Sequence, residues 1–375
     1  MRRTRPDVSL TATTDDGFRP ATPPAWTRWL PFVYVAFVLL LETAQQEEWA
    51  VSLFLVALPA IAAYAYGPAV VAALTVLAIL LEGSLAAVSH HLGETHHVTA
   101  DIATAVVGIL ATALAAHRRS QERHLVHANS VAEALMRALL RPVPHQVGNV
   151  LAAGLYRPSE AGTMVGGDLF DIRATRTGER AIIGDVRGKG LPAVRTVAAI
   201  LGTFREAAYE APDLPAIAAR LERGLVREAE EIRDPELFAT AVLIEYDSLA
   251  HRVTVTNHGH VEPVLISRGE VRTLQGPPAL PLGLGRLAAA ERPVPCSHRF
   301  TRGDVLLLVT DGLVEARDTG GAFYPLVERL RHRFEGRPAP GPADVVDFLN
   351  TDLPRHTPHL HDDVAMLAIA PHGRT

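Results

Sequence analysis

The stretch that decides the fold is IGDVRGKGLPAV, residues 183–194. Its first residues end an apolar, β-type run, and the glycine-rich turn after Val186 leads into an apolar helical pattern from Leu191 to Glu210. Asp185 therefore stands at the end of a predicted strand, next to glycines that allow backbone or a ligand to approach closely. A carboxylate held by such a rigid element is a candidate ligand or catalytic group.

Three further segments place aspartates in similar turns. They are VGGD (165–168), VTDG (309–312) and HDDV (361–364). One Asp-Gly pair is more often a turn than a ligand, but an ordered series of four such segments predicts a common site. Carboxylates without cysteine or a fixed histidine spacing suit Mg²⁺ or Mn²⁺ rather than Zn²⁺. Two such ions about 3.5–4 Å apart can activate a water and hold a phosphoryl group for in-line attack.

The sequence around these segments, residues 142–375, predicts a domain of mixed strands and helices. Strands are predicted at 151–156, 169–174, 181–186, 238–246, 252–257, 261–267, 305–310 and 364–370, and helices at 191–210, 215–232, 325–334 and 343–353. Hairpin-spaced strands beside separate helix pairs are typical of an α+β layered domain rather than a doubly wound parallel sheet.

Taken together, seven motifs resemble, in order, those of the SpoIIE/RsbU-type branch of the PPM (PP2C-like) serine/threonine phosphatases. They are VGGDLFD, IGDVRGKGLPAV, LFATAVL, TNHGH, PLGLG, GDVLLLVTDGLVEARD and HDDVAML. The resemblance covers residues 151–370. It implies an α/β/β/α sandwich of two antiparallel sheets, with a centre of two Mn²⁺ or Mg²⁺ ions at one edge.

The resemblance also implies a ligand set for these ions. Its members are Asp168, Asp185, Val186 through its carbonyl, Asp311, Asp362 and Asp363, with Asp185, Asp311 and Asp362 as the catalytic residues. Asp185 is expected to bridge both ions, and Asp168 to act on the second ion directly or through water. Asp363 is either a further ligand or a turn residue that holds the start of the last strand.

The chain departs from the family pattern at two points. His258 replaces the usual small residue of the N-x-G-H motif, so His260 is interpreted as structural rather than as the general acid. The arginine that binds phosphate in the wider PP2C group has no secure equivalent. Arg157, Arg187 and Lys189 are candidates for binding substrate phosphate, although a turn lysine is more often simply solvated.

An apolar region precedes this domain. Four stretches, at 29–41, 49–66, 68–88 and 98–116, predict membrane helices, although the first is short for a span of roughly 20 residues. The alternative is a buried helical domain. Arginines precede the first stretch and follow the fourth, whereas the loops near residues 47 and 89–97 have none. The positive-inside rule then places both chain ends in the cytoplasm, which requires an even number of spans.

The predicted domains are therefore a disordered cytoplasmic tail (1–28), a four-helix transmembrane region (29–116), a linker helix (117–141) and the phosphatase domain (142–375). The linker has an apolar seam at Leu125, Ala128, Ala132, Leu135 and Leu139, which indicates either a parallel homodimer or packing on the following domain.

Other polar groups of the apolar region are candidates for signal input. An outward loop contains His90, His91, Glu94, His96 and His97, which either bind Zn²⁺ or Cu²⁺, respond to external pH, or form an ordinary polar loop. Glu82 and Asp101 lie near the ends of apolar stretches. They are either functional groups within the membrane or lie just outside the hydrocarbon.

Composition excludes several other classes. A net charge of −5 and the absence of a basic, aromatic-rich stripe argue against nucleic-acid binding, and the single Cys296 excludes an intrachain disulfide. VGGDLF superficially resembles the GG[DE]EF motif of diguanylate cyclases, but that assignment leaves the later aspartate motifs unexplained. GKG without a following Ser or Thr is not a P-loop.

The resemblance predicts a substrate: a phosphorylated STAS-domain anti-sigma factor antagonist. Two alternatives stay open, a different phosphoprotein or a catalytically weak, membrane-anchored binding module. The complete set of Asp185, Asp311 and Asp362 argues against the last.

Overall fold

The structure, a computed structural model, describes residues 24–44, 51–88, 95–159, 164–277, 279–287 and 294–372. The chain divides into two compact units, Arg19–His127 and Ala128–Thr375. The division falls inside one long helix, so the predicted fourth apolar stretch and the predicted linker belong to a single continuous element.

The N-terminal unit is helical. Its helices are α1 (Leu30–Ala44), α2 (Leu58–Ala65), α3 (Pro68–Val88) and the first part of α4 (Thr95–Leu139), with 3-10 turns at Ala25–Trp29 and Val51–Ala57. Among the described residues, one helix, Val98–Leu139, is long and apolar enough to cross a membrane, and the apolar helices Ala25–Leu41, Phe54–Ala65 and Pro68–Ser84 are shorter. The structure therefore does not support the prediction of four complete membrane spans.

The N-terminal unit exposes many large apolar side chains, and its interior has small and polar side chains beside Val38, Leu55, Leu58 and Val71. Exposed side chains include Phe32, Phe37, Leu77, Leu80, Ile109 and Leu114. Buried ones include Ala62, Thr75, Ala78, Glu82, Thr104, Ala111 and Ala115. A helix of a soluble protein turns its apolar stripe inward, whereas small residues between helices with large apolar residues outside are typical of membrane helices.

The C-terminal unit is built on two antiparallel sheets. Its strands are β1 (Gln146–Val147), β2 (Val150–Arg157), β3 (Asp168–Ala174), β4 (Glu179–Val186), β5 (Ala239–Asp247), β6 (Arg252–His258), β7 (Val264–Ser267), β8 (Glu270–Thr273), β9 (Cys296–Arg299), β10 (Val305–Val309) and β11 (Val364–Pro371). The first sheet has the order β1-β2-β11-β10-β7-β8, and the second has the order β3-β4-β5-β6-β9.

Helices cover the outer face of each sheet. α5 (Leu191–Glu210) and α6 (Leu214–Ile232) contact the second sheet, whereas α8 (Leu326–Phe334) and α9 (Pro342–His356) contact the first. A short helix, α7 (Asp311–Val314), follows β10. This arrangement confirms the predicted α/β/β/α sandwich.

The eight predicted strands and four predicted helices of this unit are all present, with ends shifted by up to three residues. The sequence did not predict β1, β8 or β9, which have only two to four residues each. Such short segments carry too little alternation to be recognised, and they exist because a neighbouring strand pairs with them.

The last turns of α4 pack on the sandwich. Ala132, Met136 and Leu140 are buried in the same core as Phe170, whereas Leu125 and Leu135 of the predicted seam are exposed. Packing on the following domain is therefore confirmed for this segment. A homodimer through the exposed leucines stays a prediction.

Candidate metal centre

Two of the predicted ligands face each other in the second sheet. β3 and β4 pair so that Asp168 lies opposite Asp185. Asp168 is buried, and Asp185 is only partly exposed at the strand end. The backbone at Gly167 lies against the Val186 carbonyl. Only glycine fits there, because a Cβ atom would lie 2.2 Å from the Val186 carbonyl oxygen. The Val186 carbonyl is thus held at the same strand end as the two carboxylates.

The first sheet contributes the other aspartates. Asp311 lies two residues after the end of β10, and Asp362 lies two residues before the start of β11. Because β10 and β11 are antiparallel neighbours, these two ends meet at one edge. All the predicted aspartate ligands are therefore brought to one end of the sandwich.

Thr310 ties the two sheets together at this edge. Its hydroxyl donates to Asp168 Oδ2 at 2.7 Å and accepts from the Ala365 backbone N–H at 2.8 Å. The sequence analysis did not single out Thr310, although it lies within the VTDG segment. Its buried hydroxyl holds Oδ2 of Asp168 in place, so that Oδ1 is the oxygen available as a metal ligand.

The aspartates repel one another electrostatically. Burial, followed by the negative charges of Asp311 and Asp362, raises the pKa of Asp185 to about 7. Burial and the charge of Asp185 raise the pKa of Asp168 well above its usual range. The pKa of Asp311 is raised by burial and by Glu315 and Asp362. Such like charges gathered at one edge favour the binding of cations.

The donor chemistry fits hard divalent cations. The cluster offers carboxylate and carbonyl oxygens, which are the ligands of Mg²⁺ and Mn²⁺. Within the described ranges, no three Asp, Glu, His or Cys side chains are close enough together to enclose a single ion. Lys189 Nζ lies 3.1 Å from Asp362 Oδ1.

Residues 176–372, just over half of the chain, match the family model described as Stage II sporulation protein E (SpoIIE). The chain belongs to the SpoIIE family. The matched residues lie in the C-terminal unit, which is accordingly a SpoIIE-family domain. No curated protein sequence matches the chain significantly.

Solved structures agree with the SpoIIE assignment at the level of fold. The PP2C domain of SiaA from Pseudomonas aeruginosa is 17% identical with a TM-score of 0.53, over 67% of this chain and 98% of that one. The RsbU and RsbW domains of a Mycobacterium tuberculosis protein are 22% identical with a TM-score of 0.50, over 61% of this chain. This chain spans 63% of the length of that second structure.

Asp363 of the SpoIIE domain is already held by hydrogen bonds. Its carboxylate accepts from the Tyr156 hydroxyl, from Ser159 N at 2.9 Å and from Gly166 N at 2.9 Å. Asp363 is also 2% exposed, whereas the Asp362 side chain is 49% exposed. Asp363 was expected to be either a metal ligand or a turn residue. These contacts favour the turn residue, which holds the start of β11 and the glycine loop before Asp168.

The three candidates for phosphate binding lie in different surroundings. Arg187 Nη2 lies 2.6 Å from Glu236 Oε2, and Arg187 Nη1 also lies 3.7 Å from Asp234. Arg157 pairs in register with Val364, next to the acidic motif. Lys189 contacts Asp362 directly, so it is not simply a solvated turn lysine. Arg157 and Lys189 are thus next to the acidic cluster, while Arg187 is engaged in ion pairs.

His260 has a structural place in the N-x-G-H turn. Asn257 Nδ2 donates to the His260 carbonyl at 2.9 Å, and His260 N donates to Asn257 Oδ1 at 2.8 Å. The His260 ring lies 2.8 Å from the Thr240 hydroxyl, and Thr240 is the β5 partner of Asp185. Burial lowers the pKa of His260 to about 4, so its ring is neutral near pH 7. A neutral, buried ring fits the predicted structural role.

The buried rings of His258 and His260 predict that the C-terminal domain loses stability in mild acid. Burial lowers the pKa of His258 as well as that of His260, so both rings are neutral in the fold but bind protons below about pH 6.5 when unfolded. Stability is therefore present above pH 6.5 and is lost as the pH falls toward 4. We expect the double variant His258→Asn/His260→Asn to lose about 5 °C less in melting temperature than the wild type between pH 7.5 and pH 5, measured by calorimetry.

The matched control is His251→Asn, an exposed histidine between β5 and β6. This control should follow the wild-type pH dependence. An equal fall for the double variant and the wild type would contradict the prediction.

None of the five residues of the predicted sensor loop has a described side chain. His90, His91 and Glu94 lie outside the described residues, and the side chains of His96 and His97 are also outside the description. Their role stays a prediction.

Proposed function

We propose that the protein is a Mn²⁺- or Mg²⁺-dependent protein serine/threonine phosphatase that acts on a phosphorylated STAS-domain anti-sigma factor antagonist. The observation that carries the metal-dependent activity is the convergence of aspartates from the ends of both sheets. Burial and the neighbouring negative charges raise the pKa of Asp185 there to about 7. Membership of the SpoIIE family supports the choice of substrate.

In this proposal two ions are held by Asp185, Asp311 and Asp362, with Asp168 and the Val186 carbonyl completing the ligand set. When bound, the ions supply Lewis-acid activation of water and neutralise charge on the phosphoryl group. The chain's own groups position these ligands: the Thr310 hydroxyl orients Asp168, and Asp363 fixes the loop at Gly166. Lys189, which contacts Asp362, and Arg157, which pairs in register with Val364, would bind the oxygens of the substrate phosphate.

Hydrolysis assays distinguish this function from its alternatives. The full chain should hydrolyse a generic phosphomonoester when Mn²⁺ is added and lose that activity in EDTA. It should release phosphate from a phosphorylated STAS-domain protein faster than from an unrelated phosphoprotein. Equal rates on the two would favour a different substrate, and no hydrolysis with either metal would favour a binding module.

We also propose that the N-terminal unit is embedded in the membrane, with both chain ends in the cytoplasm and four helical segments crossing it. Support comes from arginines at one end of the unit. Arg118 Nη1 donates to the Ala63 and Tyr64 carbonyls at 3.0 and 2.6 Å, at the end of α2. The Tyr66 hydroxyl donates to the Arg28 carbonyl at 2.8 Å, so the start of the bundle lies at this same end.

Fractionation tests the membrane proposal. The full chain should stay in the membrane after an alkaline carbonate wash, and its C-terminal domain should be cleaved by protease in inside-out vesicles but protected in right-side-out vesicles. Release by the wash, or the reverse protection, would overturn it. Replacement of His90, His91, His96 and His97 tests the loop as a sensor, because a sensor requires phosphatase output to change with external metal or pH.

The last turns of α4 contact the loop that bears Asp168. Asn129 Oδ1 accepts from Val165 N at 2.9 Å, and the Val165 carbonyl accepts from Gly190 N at 2.6 Å. Gly190 in turn ends the glycine-rich turn after Asp185. We therefore propose that α4 relays membrane input to the site through Asn129, and that the exposed Leu125 and Leu135 are available for a homodimer contact.

The relay predicts an effect on turnover without a loss of fold. Asn129→Ala removes the acceptor of the Val165 N–H, which loosens the loop before Asp168, and one such hydrogen bond is worth about 1 kcal/mol. We expect kcat on a phosphomonoester to fall about fivefold while the melting temperature changes little. Ser120→Ala, an exposed position on the same helix, is the control and should leave kcat unchanged. Equal kcat values for both variants would argue against the relay.

A further inference from the structure

Two carboxyl groups meet inside the N-terminal unit, where α3 and α4 run side by side. The Glu82 side chain is 2% exposed, and the hydroxyl of the fully buried Thr104 donates to its Oε1 at 2.9 Å. Asp101 lies one turn before Thr104 on α4, and its negative charge acts on the Glu82 carboxyl. Glu82 is six residues before the end of α3, and Asp101 is six residues after the start of α4.

Close helix packing surrounds this pair. Buried or small residues follow helical spacing on each side: Val71, Thr75, Ala78 and Glu82 on α3, and Asp101, Thr104, Gly108, Ala111 and Ala115 on α4. A Cβ atom at Gly108 would lie 2.1 Å from Thr75 Cγ2, so the two helices touch there. The Thr75 hydroxyl donates to the Val71 carbonyl and is not available to the carboxyls.

Within the described part of the chain, no basic group offsets the two acids. The sequence has no Lys or Arg between Leu30 and Ala116. Glu82 Oε2 is buried and has no hydrogen-bond donor among the described residues. α2 and the 3-10 turn at Val51–Ala57, which contact α3, contain no charged residue. On α4, Asp101 is the charged group described as acting on Glu82.

Two ionised carboxylates in contact repel each other, and burial strengthens the repulsion. A proton on Glu82 Oε2, donated to Asp101, removes one charge and satisfies the buried oxygen, while Oε1 keeps its bond from Thr104. A carboxyl pair that shares one proton is an established solution to this problem. We propose that Glu82 and Asp101 form a proton-binding site between α3 and α4.

Loss of this proton has a structural consequence. It leaves two negative charges at the interface of α3 and α4, which favours separation of the helices at that end. α4 is continuous to Leu139 and bears Asn129, so protonation is coupled to the proposed relay. Only this coupling depends on the proposed function, since the proton site itself is tested without a phosphatase assay.

Infrared spectroscopy of the full chain in lipid nanodiscs tests the proton site. At pH 7.5 the wild type should show the C=O band of a protonated carboxylic acid, shifted in D₂O. Glu82→Gln, which keeps the acceptor for Thr104, should lose the band. Asp101→Asn should shift its frequency because the partner of the proton changes. Glu122→Gln, at an exposed ion pair with Arg118, is the control and should keep the band unchanged.

Three outcomes would overturn the proposal. One is the absence of the band from the wild type throughout pH 5–8, and another is its persistence in Glu82→Gln. The third is loss of the band when NaCl or MgCl₂ is added at constant pH, which would assign the pair to a metal cation. An unshifted band in Asp101→Asn would exclude Asp101 as the partner, and this measurement stands even if Glu82→Gln fails to fold.

Discussion

We expect Asp185→Asn to lower the kcat of metal-dependent phosphomonoester hydrolysis by at least about a thousandfold, or about 4 kcal/mol of transition-state stabilisation. Asp185 is the carboxylate on which the charges of Asp311, Asp362 and Asp363 all act. In the proposed site it would help to hold both ions. Asparagine keeps the shape of the side chain but removes the charge that holds the cations.

The matched control is Asp247→Asn, at the far end of the neighbouring strand β5. Asp247 is exposed, and its Oδ1 accepts from Leu249 N and Ala250 N, bonds that the oxygen of asparagine preserves. Its activity should equal that of the wild type. Both variants are assayed across a range of Mn²⁺ concentrations, with circular dichroism to verify folding. If Asp185→Asn kept more than about a tenth of the activity at saturating Mn²⁺, the metal centre would be wrongly assigned.

We expect Arg180→Met to destabilise the C-terminal domain by about 3–5 kcal/mol, the usual cost of breaking a buried charge pair by removing one partner. The Arg180 side chain is 1% exposed and lies 2.8 Å from Glu245. Its guanidinium also donates to the carbonyls of Ala208, Ala211 and Pro212, at and just beyond the end of α5. Ala208 is in the last turn of α5, where the helix leaves carbonyls without backbone partners. Methionine would remove the donor from all three carbonyls and from Glu245.

The melting temperature of the phosphatase domain reports this loss, which should be about 10 °C or more. Arg176→Met, in the exposed turn before β4, is the control and should change it little. A shift of less than about 2 °C for Arg180→Met would show that the buried network contributes little stability. Because α5 begins at the glycine turn after Asp185, Arg180→Met should also lower kcat.

Sequence patterns predicted the sandwich well because its long strands and helices have strong periodicity. The helix from Leu191 to Glu210 has the predicted ends, and the strands that bear the aspartates are all present. The pattern predicted less well where an element depends on its neighbours. β8 and β9 arise from pairing with β7 and β6, and no local signal marks them.

In the apolar region, too, the local pattern predicted that helices are present better than it predicted their limits. Hydropathy identified its stretches but divided the last one from the linker, whereas the structure has a single helix, α4, from Thr95 to Leu139. The change from an apolar to an amphipathic pattern near His117 reflects what surrounds the helix rather than a break in it. The seam prediction counted Leu125 and Leu135 as equivalent to Ala132, but only Ala132 is buried.

By itself, the sequence determined the chemistry of the candidate site and the family of the protein, because each aspartate motif is a short, contiguous strand end or turn. Only the tertiary structure decided which groups meet. Thr310 binds Asp168 across 142 residues of sequence, Arg180 becomes buried against the end of α5, and Glu82 accepts from Thr104 between two helices. Pairing register and helix packing set these contacts, and a linear pattern does not specify them.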